Sequence, residues 1–310
     1  MSHFFTYAVL TSTVAAAIAL ASPFLLASLG ETMGQRSGVI NLGVDGIMLL
    51  SAFSTYFVAL KTGSLLFGVL AGVGVGMVMG VITAFISVTL KAEQGISGIG
   101  IYLFGLGFSD LLFIKLVGTP LPINELTPIG IPLLDRIPAV GNMLFKQTIL
   151  VYLAFLLVPV FAFVLNRTTY GLKIRACGEN PAAADTVGIS VARIRWSTVL
   201  IGCTMAGLAG AALLLYDGIF MENLTQSEGF IAVALVYFGA WRPLGVMGGS
   251  VLYGFTIAVV LEWKSLGIIP LSASDLAATA PAVITILALL LVARRFRQPA
   301  VLGKPYERGG

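Results

Sequence analysis

The sequence has very few charged residues. Only 10% of its 310 residues are Asp, Glu, Lys or Arg, whereas 58% are hydrophobic, and the mean hydropathy is +0.99. Soluble domains are about 25% charged and about 45–50% apolar, so these charges are too few to cover a soluble surface. The composition excludes a soluble enzyme, a nucleic-acid binder, a disordered chain and a disulfide scaffold, and it leaves a protein that crosses a membrane several times.

The residues of most catalytic and metal sites are also scarce. The chain has one histidine, His3, and two cysteines, Cys177 and Cys203, and no spacing of Cys, His, Asp and Glu suggests a metal site. The phosphate-binding pattern G-x-x-x-x-G-K-[ST] is absent, because no lysine follows the glycines near Gln35. We therefore expect no metal, no cofactor and no enzymatic activity on this chain.

Long stretches without charge predict membrane-spanning helices, which need roughly 20 apolar residues each. The predicted spans lie near 8–29, 38–60, 64–90, 95–116, 148–166, 196–217, 243–261 and 276–293. The stretch 229–241 is too short to cross alone and predicts a half-helix or re-entrant element. Apolar and polar residues do not alternate as they would in a barrel. The predicted fold is all-α, a polytopic transmembrane bundle of about 8–10 helices in a single domain, 1–310.

The basic residues predict the orientation of the chain. Ten of the eighteen Lys and Arg residues lie in 167–195 or in the tail from Arg294, so both segments should be cytoplasmic. The acidic loop 217–228 and the Pro- and Gly-rich segment 117–147 should face the other side. The cytoplasmic loop 167–195 thus separates a first half, 1–147, from a second half, 196–310. The side of the N-terminus stays open, although its lack of a basic region predicts a retained span rather than a cleaved signal.

Glycines follow a helical pattern in the third predicted span. Gly68, Gly72, Gly76 and Gly80 recur every four residues, and Gly202, Ala206 and Gly210 repeat the pattern later. Small residues on one face let a second helix approach closely. The contact is either packing within one subunit or a contact with another subunit or a moving helix.

The loop 167–195 contains signals for a short helix. Asn180 is a good N-cap, Pro181 suits the first helical position, and Gly188 can end the helix in a left-handed conformation. An ordinary structured loop and a docking element for a soluble partner both fit this pattern.

This loop resembles that of a known family. The run GLKIRACGENPAAADTVGISVARIR, 171–195, is similar to the coupling loop of permeases in bacterial ABC importers for branched-chain amino acids, ribose and nucleosides. Residues 30–48 resemble the GE-x-x-x-x-R-x-GVINLG-x-EG-x-M pattern of the nucleoside and simple-sugar members, although Asp45 stands where glutamate is more usual. Residues 229–245 give a third match.

The resemblance implies a transport subunit of the bacterial inner membrane. Its expected partners are a second permease that forms a homologous heterodimer with it, a cytoplasmic ABC ATPase that holds the ATP and Mg, an extracellular or periplasmic binding protein or lipoprotein, and the lipid bilayer. No nucleic acid is expected. The residues predicted to couple to the ATPase are Gly171, Arg175, Glu179, Asn180, Pro181, Ala183, Asp185 and Gly188.

Polar and aromatic residues within the predicted spans are candidates for the solute pathway, because buried polar groups in a bilayer are costly. Asn41 and Asp45 can belong to the pathway or cap a helix. Aromatic rings can stack on a nucleobase or only pack against lipid and core. The candidates are Asn41, Asp45, Tyr102, Phe104, Phe108, Tyr237, Phe238 and Trp241.

Three classes of function compete. An ABC permease for nucleosides is favoured by the resemblance, with a simple sugar or a branched-chain amino acid as other solutes. An ion-coupled secondary transporter would need coupling-ion sites, for which only Asp45 and Asp110 are available in the spans. A membrane-embedded enzyme would need a catalytic cluster, which the sequence does not show.

Overall fold

The chain is a bundle of helices. The structure, a computed structural model, describes residues 7–132, 135, 140–293 and 297–307; His3, Arg294, Arg295 and Arg308 lie outside this part. The helices are α1 (Tyr7–Arg36), α2 (Val44–Thr62), α3 (Leu65–Ala84, continued by a π-turn Phe85–Thr89), α4 (Gln94–Leu116), α5 (Val140–Leu144), α6 (Ile149–Arg167), α7 (Thr169–Glu179), α8 (Pro181–Thr186), α9 (Val191–Asp217), α10 (Glu228–Phe238), α11 (Pro243–Ser265), α12 (Ser274–Ala278) and α13 (Ala280–Ala293). A two-residue strand pair, β1 (Ile129–Gly130) and β2 (Lys146–Gln147), closes the segment between α4 and α6.

Seven helices in the described part are long and apolar enough to cross a membrane: α1 from Val9, α2, α3 with its π-turn, α4, α6, α9 and α11. The chain is therefore a multi-pass membrane protein, and the predicted helical bundle is confirmed. The predicted half-helix at 229–241 is also confirmed, as the 11-residue α10. In the last predicted span, 276–293, the described helix α13 has 14 residues and follows the separate short helix α12.

Two predicted span boundaries are wrong. The first helix continues past 29 to Arg36, because the buried Glu31 is hydrogen-bonded inside the bundle and does not end it. The second helix begins at Val44 rather than near 38, since Gly38 has a φ of +92° and Asn41 forms a turn with Gly43. Residues 37–43 therefore form a non-helical re-entrant segment within the bundle.

The bundle has two ends, a basic end and a loop end. The basic end carries α7, α8 and Arg195, whose Nε donates to the Ser37 carbonyl after α1. The loop end carries residues 117–132, where the Leu121 carbonyl accepts a hydrogen bond from the Tyr56 hydroxyl of α2. Thus α1 runs toward the basic end, and the chain turns back so that α2 runs toward the loop end.

The same order of elements occurs twice, in opposite directions. The first half contains, in order, α1, the re-entrant segment 37–43, α2 and α3. The second half contains, in the same order, α9, residues 218–227, α10 and α11. Helix α3 packs on α9, and α11 packs on α1. Gly76 and Gly254 each stand twelfth in α3 and α11, and a Cβ there would lie 2.6 Å from the Cys203 carbonyl and 2.5 Å from the Ala17 carbonyl, respectively.

The glycine stripe of α3 makes contacts within the chain. A Cβ on Gly68 would lie 2.7 Å from the Thr55 carbonyl, and one on Gly80 would lie 3.1 Å from the Cys203 side chain; Gly72 likewise faces Thr55. The structure therefore supports packing within one subunit for these residues. The later pattern behaves in the same way, because Gly202 faces Gly30 and Gly210 faces the Met48 carbonyl.

Candidate functional site

The re-entrant segment is held by hydrogen bonds of the Asn41 side chain and backbone. Asn41 Oδ1 accepts from the Gly43 N–H at 2.9 Å, and the Asn41 N–H donates to Glu31 Oε1 at 3.0 Å. Its Nδ2 lies 3.5 Å from the Cys203 sulfur. Asn41 is buried, so its hydrogen bonds satisfy backbone groups that a non-helical turn at membrane depth would otherwise leave unpaired.

Asp45 joins the two halves of the molecule. Its carboxylate accepts hydrogen bonds from the Gly229 N–H at 2.7 Å and from the Thr225 hydroxyl at 3.0 Å. Gly229 is in the first turn of α10, where free N–H groups and the helix dipole favour a negative charge. A Cβ on Gly229 would overlap the Asp45 backbone, so only glycine permits this approach. The N-termini of α2 and α10 therefore meet inside the bundle.

A second set of buried polar contacts anchors the other end of α10. Trp241 Nε1 donates to Gln35 Oε1 at 2.8 Å, and Gln35 Nε2 donates to Glu31 Oε1 at 3.0 Å. Arg36 Nε donates to the Trp241 carbonyl at 3.0 Å. Ala240 and Trp241 both have positive φ, +52° and +55°, a strained conformation for non-glycine residues. The hydrogen bonds from α1 thus hold a strained turn between α10 and α11.

Sequence reasoning missed Glu31, Gln35 and Thr225 as members of these contacts. Glu31 and Gln35 are one helical turn apart, and both are buried in α1. A carboxylate followed four residues later by an amide, next to an apolar run, is a pattern that could have indicated a buried pair. Thr225 carries no such signal, because only the fold brings it to Asp45.

The aromatic candidates fall into separate groups. Tyr102 contacts Phe230 edge to face at 5.0 Å between ring centroids, and Tyr237 contacts Trp241 in the same manner at 4.9 Å. Phe104 and Phe108 stack on each other at 5.3 Å, and they are 51% and 40% exposed on the outer face of α4. Phe238 lies against Gly249. The eight candidates therefore do not form one pocket within this chain.

The predicted docking helix has the expected local structure. Asn180 Oδ1 accepts from the Ala183 N–H at 3.0 Å, Pro181 is in the first turn of α8, and Gly188 has a φ of +83°. Pro181 and Ala184 face the protein, whereas Ala182, Ala183 and Val187 are exposed. Val187 is 75% exposed, which leaves an apolar surface at the tip of this element.

The remaining residues predicted to couple to the ATPase lie in α7, before α8, or in α8 itself. Gly171 packs against backbone carbonyls of α6, and its N–H donates to the Thr168 hydroxyl at 3.1 Å. Glu179 is exposed, whereas Arg175 and Asp185 are half-buried. The residues are thus adjacent at the basic end, as their spacing predicts.

The C-terminal segment, residues 297–307, connects α7, the helix before the docking helix, to the re-entrant segment. The Val301 N–H donates to the Gly178 carbonyl, and the Gly303 N–H donates to the Gly38 carbonyl, both at 3.1 Å. Arg195 Nη1 donates to the Lys304 carbonyl at 2.9 Å. The two most distinctive motifs, 30–48 and 171–195, therefore share one packed unit at the basic end.

Cys177 lies in the same unit. It is buried with Ala184 and Val191, and Tyr306 of the C-terminal segment packs against this cluster. Burial raises the pKa of the Cys177 thiol, an effect that the nearby Arg195 charge partly opposes. The thiolate is the reactive form, so Cys177 is a packing residue with low reactivity at neutral pH.

Comparison with known proteins identifies relatives along nearly the whole chain. Residues 13–293 match the family described as the permease component of branched-chain amino acid transport systems. The nucleoside ABC transporter permease protein NupC of Lactococcus lactis is 34% identical over 307 residues, 94% of this chain and 96% of that protein. The guanosine ABC transporter permease protein NupQ of Bacillus subtilis is 31% identical over 97% of this chain and 98% of its own length.

A relative with another named solute is also similar. The putative glucose ABC transporter permease protein TsgC13 of Haloferax volcanii is 38% identical over 268 residues, 85% of this chain and 80% of that protein. No solved structure matches the chain.

Proposed function

This chain belongs to the family of permease components of branched-chain amino acid transport systems, and from that premise we propose that it carries nucleosides through the membrane. It is an ABC transporter permease, a transport subunit rather than an enzyme. Two relatives that span almost its entire length are named for nucleoside and guanosine transport. This near-complete match is the observation that carries the proposal.

The hydrogen bonds of two buried acids, Asp45 and Glu31, fit a neutral solute. The Asp45 carboxylate is occupied by Thr225 and Gly229, and Glu31 is occupied by Gln35 and Asn41. Buried charges in a bilayer need such partners. Both acids therefore serve the structure of the bundle, and a neutral polar solute such as a nucleoside needs no counter-charge from them.

Transport is driven by ATP on partner subunits. Permeases of this family act with an ATPase and a substrate-binding protein, and we place the ATPase at α8, where Ala183 and Val187 are exposed. ATP and Mg then bind to the ATPase and not to this chain. The basic end faces the cytoplasm, the loop end receives solute from the binding protein, and a second, homologous permease completes the pathway.

Reconstituted transport tests the solute. The permease is co-expressed with its partner permease, ATPase and binding protein, placed in vesicles, and supplied with ATP and radiolabelled guanosine. We expect ATP-dependent uptake that unlabelled nucleosides inhibit and that glucose or leucine leaves unchanged. Uptake of glucose with no inhibition by nucleosides would instead support the sugar alternative, which the similarity to the Haloferax protein favours.

The same vesicles test the energy source. Uptake should stop when ATP is omitted or when the ATPase is inactivated, and an imposed proton or sodium gradient should not restore it. Gradient-driven uptake in the absence of the ATPase would identify an ion-coupled transporter and overturn the proposal.

A further inference from the structure

A large cavity opens at the basic end, on the side of the bundle where α6 meets the turn between α10 and α11. Its volume is about 700 Å³. The residues that line it come from α1, α6, α7, α10, α11 and this turn. The polar lining residues are Arg36, Asn166, Arg175 and Arg242.

The cavity has an excess of positive charge. Arg36 ends α1, Arg175 lies in α7 and Arg242 lies in the turn before α11, so three separate elements each supply a guanidinium. Three guanidinium groups thus line one cavity, an arrangement that favours an anion between them.

One of these arginines has unused hydrogen-bonding capacity. Arg175 Nε is buried and has no hydrogen-bond partner in the described part of the protein. A buried N–H without a partner is costly, and a guanidinium binds phosphate oxygens through its fork of N–H groups. A phosphate group in the cavity would provide acceptors that the protein does not.

The other side of the cavity is apolar, and an exposed apolar surface of α6 adjoins it. Phe238, Pro243 and Leu244 line it, and Leu244 is 63% exposed. Phe163 lies one turn before Asn166, and with Val160 and Leu156 it forms an exposed apolar stripe on α6. This stripe leads away from the arginines for about 15 Å of helix, toward the middle of the bundle.

From the basic cavity and the apolar stripe that leaves it, we propose that this cavity binds the phosphate of an anionic phospholipid, whose acyl chains follow α6. Basic pockets between transmembrane helices on the cytoplasmic side bind such headgroups. The lipid connects the end of α1, helix α7 below the docking helix and the strained turn after α10, and it neutralises their mutual repulsion. The assignment does not depend on which solute the permease carries.

Lipid binding to the purified ABC complex tests this site. The complex is prepared in detergent, delipidated, and titrated with phosphatidylglycerol or phosphatidylcholine while native mass spectra and melting temperatures are recorded. We expect phosphatidylglycerol to remain bound and to raise the melting temperature, and phosphatidylcholine to do neither. Equal effects of the two lipids would overturn the proposal.

Substitutions locate the binding. Arg242→Gln and Arg175→Gln should each weaken phosphatidylglycerol binding about tenfold, the loss expected for one charge-assisted contact to phosphate. Arg193→Gln is the matched control, since it removes the same charge from an exposed residue of α9 outside the cavity. If Arg193→Gln weakened binding as much as Arg242→Gln does, the effect would be general surface charge and the site would be rejected.

A final arm distinguishes the source of the phosphate. Inorganic phosphate is added in place of lipid at concentrations up to those that stabilise soluble phosphate-binding proteins. We expect no rise in melting temperature and no displacement of phosphatidylglycerol, because the apolar stripe contributes to binding. Stabilisation by inorganic phosphate equal to that by lipid would assign the cavity to a soluble phosphate compound instead.

Discussion

At the scale of single residues, Asp45 is the residue whose replacement should lower the stability of the permease most. Asp45→Ala removes the acceptor of the Gly229 N–H and the Thr225 hydroxyl, and each unsatisfied buried donor costs about 1–3 kcal/mol. Asp45→Asn should be milder, because its Oδ1 can still accept from Gly229. The measurement is the midpoint of thermal unfolding of the purified permease complex.

Asp110→Ala is the control for this prediction. Asp110 also accepts a backbone hydrogen bond, from Asn223 at 3.1 Å, but in an exposed position. Its loss should therefore lower the midpoint less than Asp45→Ala does. Equal midpoints for Asp45→Ala and the unmodified protein would show that the two half-helix termini do not depend on this carboxylate.

At this scale, a contact could be predicted from the sequence only where its two residues are close together along the chain. The Asn180 cap, Pro181 in the first turn and the left-handed Gly188 are local signals within nine residues, and all three were predicted. The contacts of Asp45 with Thr225 and Gly229 join residues 180 and 184 positions apart. No local pattern encodes such pairs, so the capping role of Asp45 stayed one of two alternatives and Thr225 was missed.

At the scale of elements, α8 is expected to act through its exposed surface. Ala183→Arg places a long charged side chain on the proposed ATPase contact, while Ala183 itself is exposed in this chain. We therefore expect normal insertion and partner-permease binding but a joint loss of ATPase co-purification and ATP-driven uptake. Asn180→Ala should be milder, since it removes one cap worth about 1 kcal/mol.

Thr62→Arg is the matched control for this surface. It adds the same side chain at the exposed last residue of α2, toward the loop end, and it should leave ATPase co-purification unchanged. Retention of both the ATPase and transport in Ala183→Arg would mean that α8 is only a structured loop.

The close packing of α3 on α9 predicts that its glycines differ in their tolerance of alanine. A Cβ on Gly76 would lie 2.6 Å from the Cys203 carbonyl, whereas one on Gly74 would meet nothing within 4 Å. Gly76→Ala should destabilise the protein by about 1–3 kcal/mol, since it separates α3 from α9. Gly74→Ala should be neutral or stabilising, because alanine favours a helix. Thermal unfolding of both variants checks this, and equal midpoints would contradict close packing at Gly76.

At the scale of the whole molecule, orientation is a prediction that labelling can test. In a variant in which Cys177 and Cys203 are replaced by alanine, a cysteine at the exposed Gln226 should react with an impermeant thiol reagent added outside the cell, and one at Arg297 should not. This expectation follows from the positive charge of the basic end, which carries α7, α8 and the C-terminal segment and should therefore face the cytoplasm. Labelling at 297 but not at 226 would reverse the topology.

The repeated order of the two halves was not predicted from the sequence. The α3 face consists of Gly68, Gly72, Gly76 and Gly80, whereas the corresponding buried residues of α11 are Val246, Ser250, Gly254 and Ala258. Hydropathy detects that each helix crosses the membrane, but it does not record which side chains permit a close approach. The sequence likewise predicts too early an end for α1, because a buried hydrogen-bonded glutamate and an exposed one are identical in sequence.

The C-terminal segment has a consequence for the order in which the permease is made. Residues 297–307 connect α7, the re-entrant segment and α9 through Gly178, Gly38 and Arg195, yet the ribosome synthesises them after all of the helices α1 to α13. A nascent chain that has been synthesised only as far as α13 therefore still lacks the backbone segment that connects α7 to the re-entrant segment. The proposed ATPase contact therefore forms completely only after residues 297–307 leave the ribosome, and a shorter nascent chain presents an incomplete surface to the ATPase.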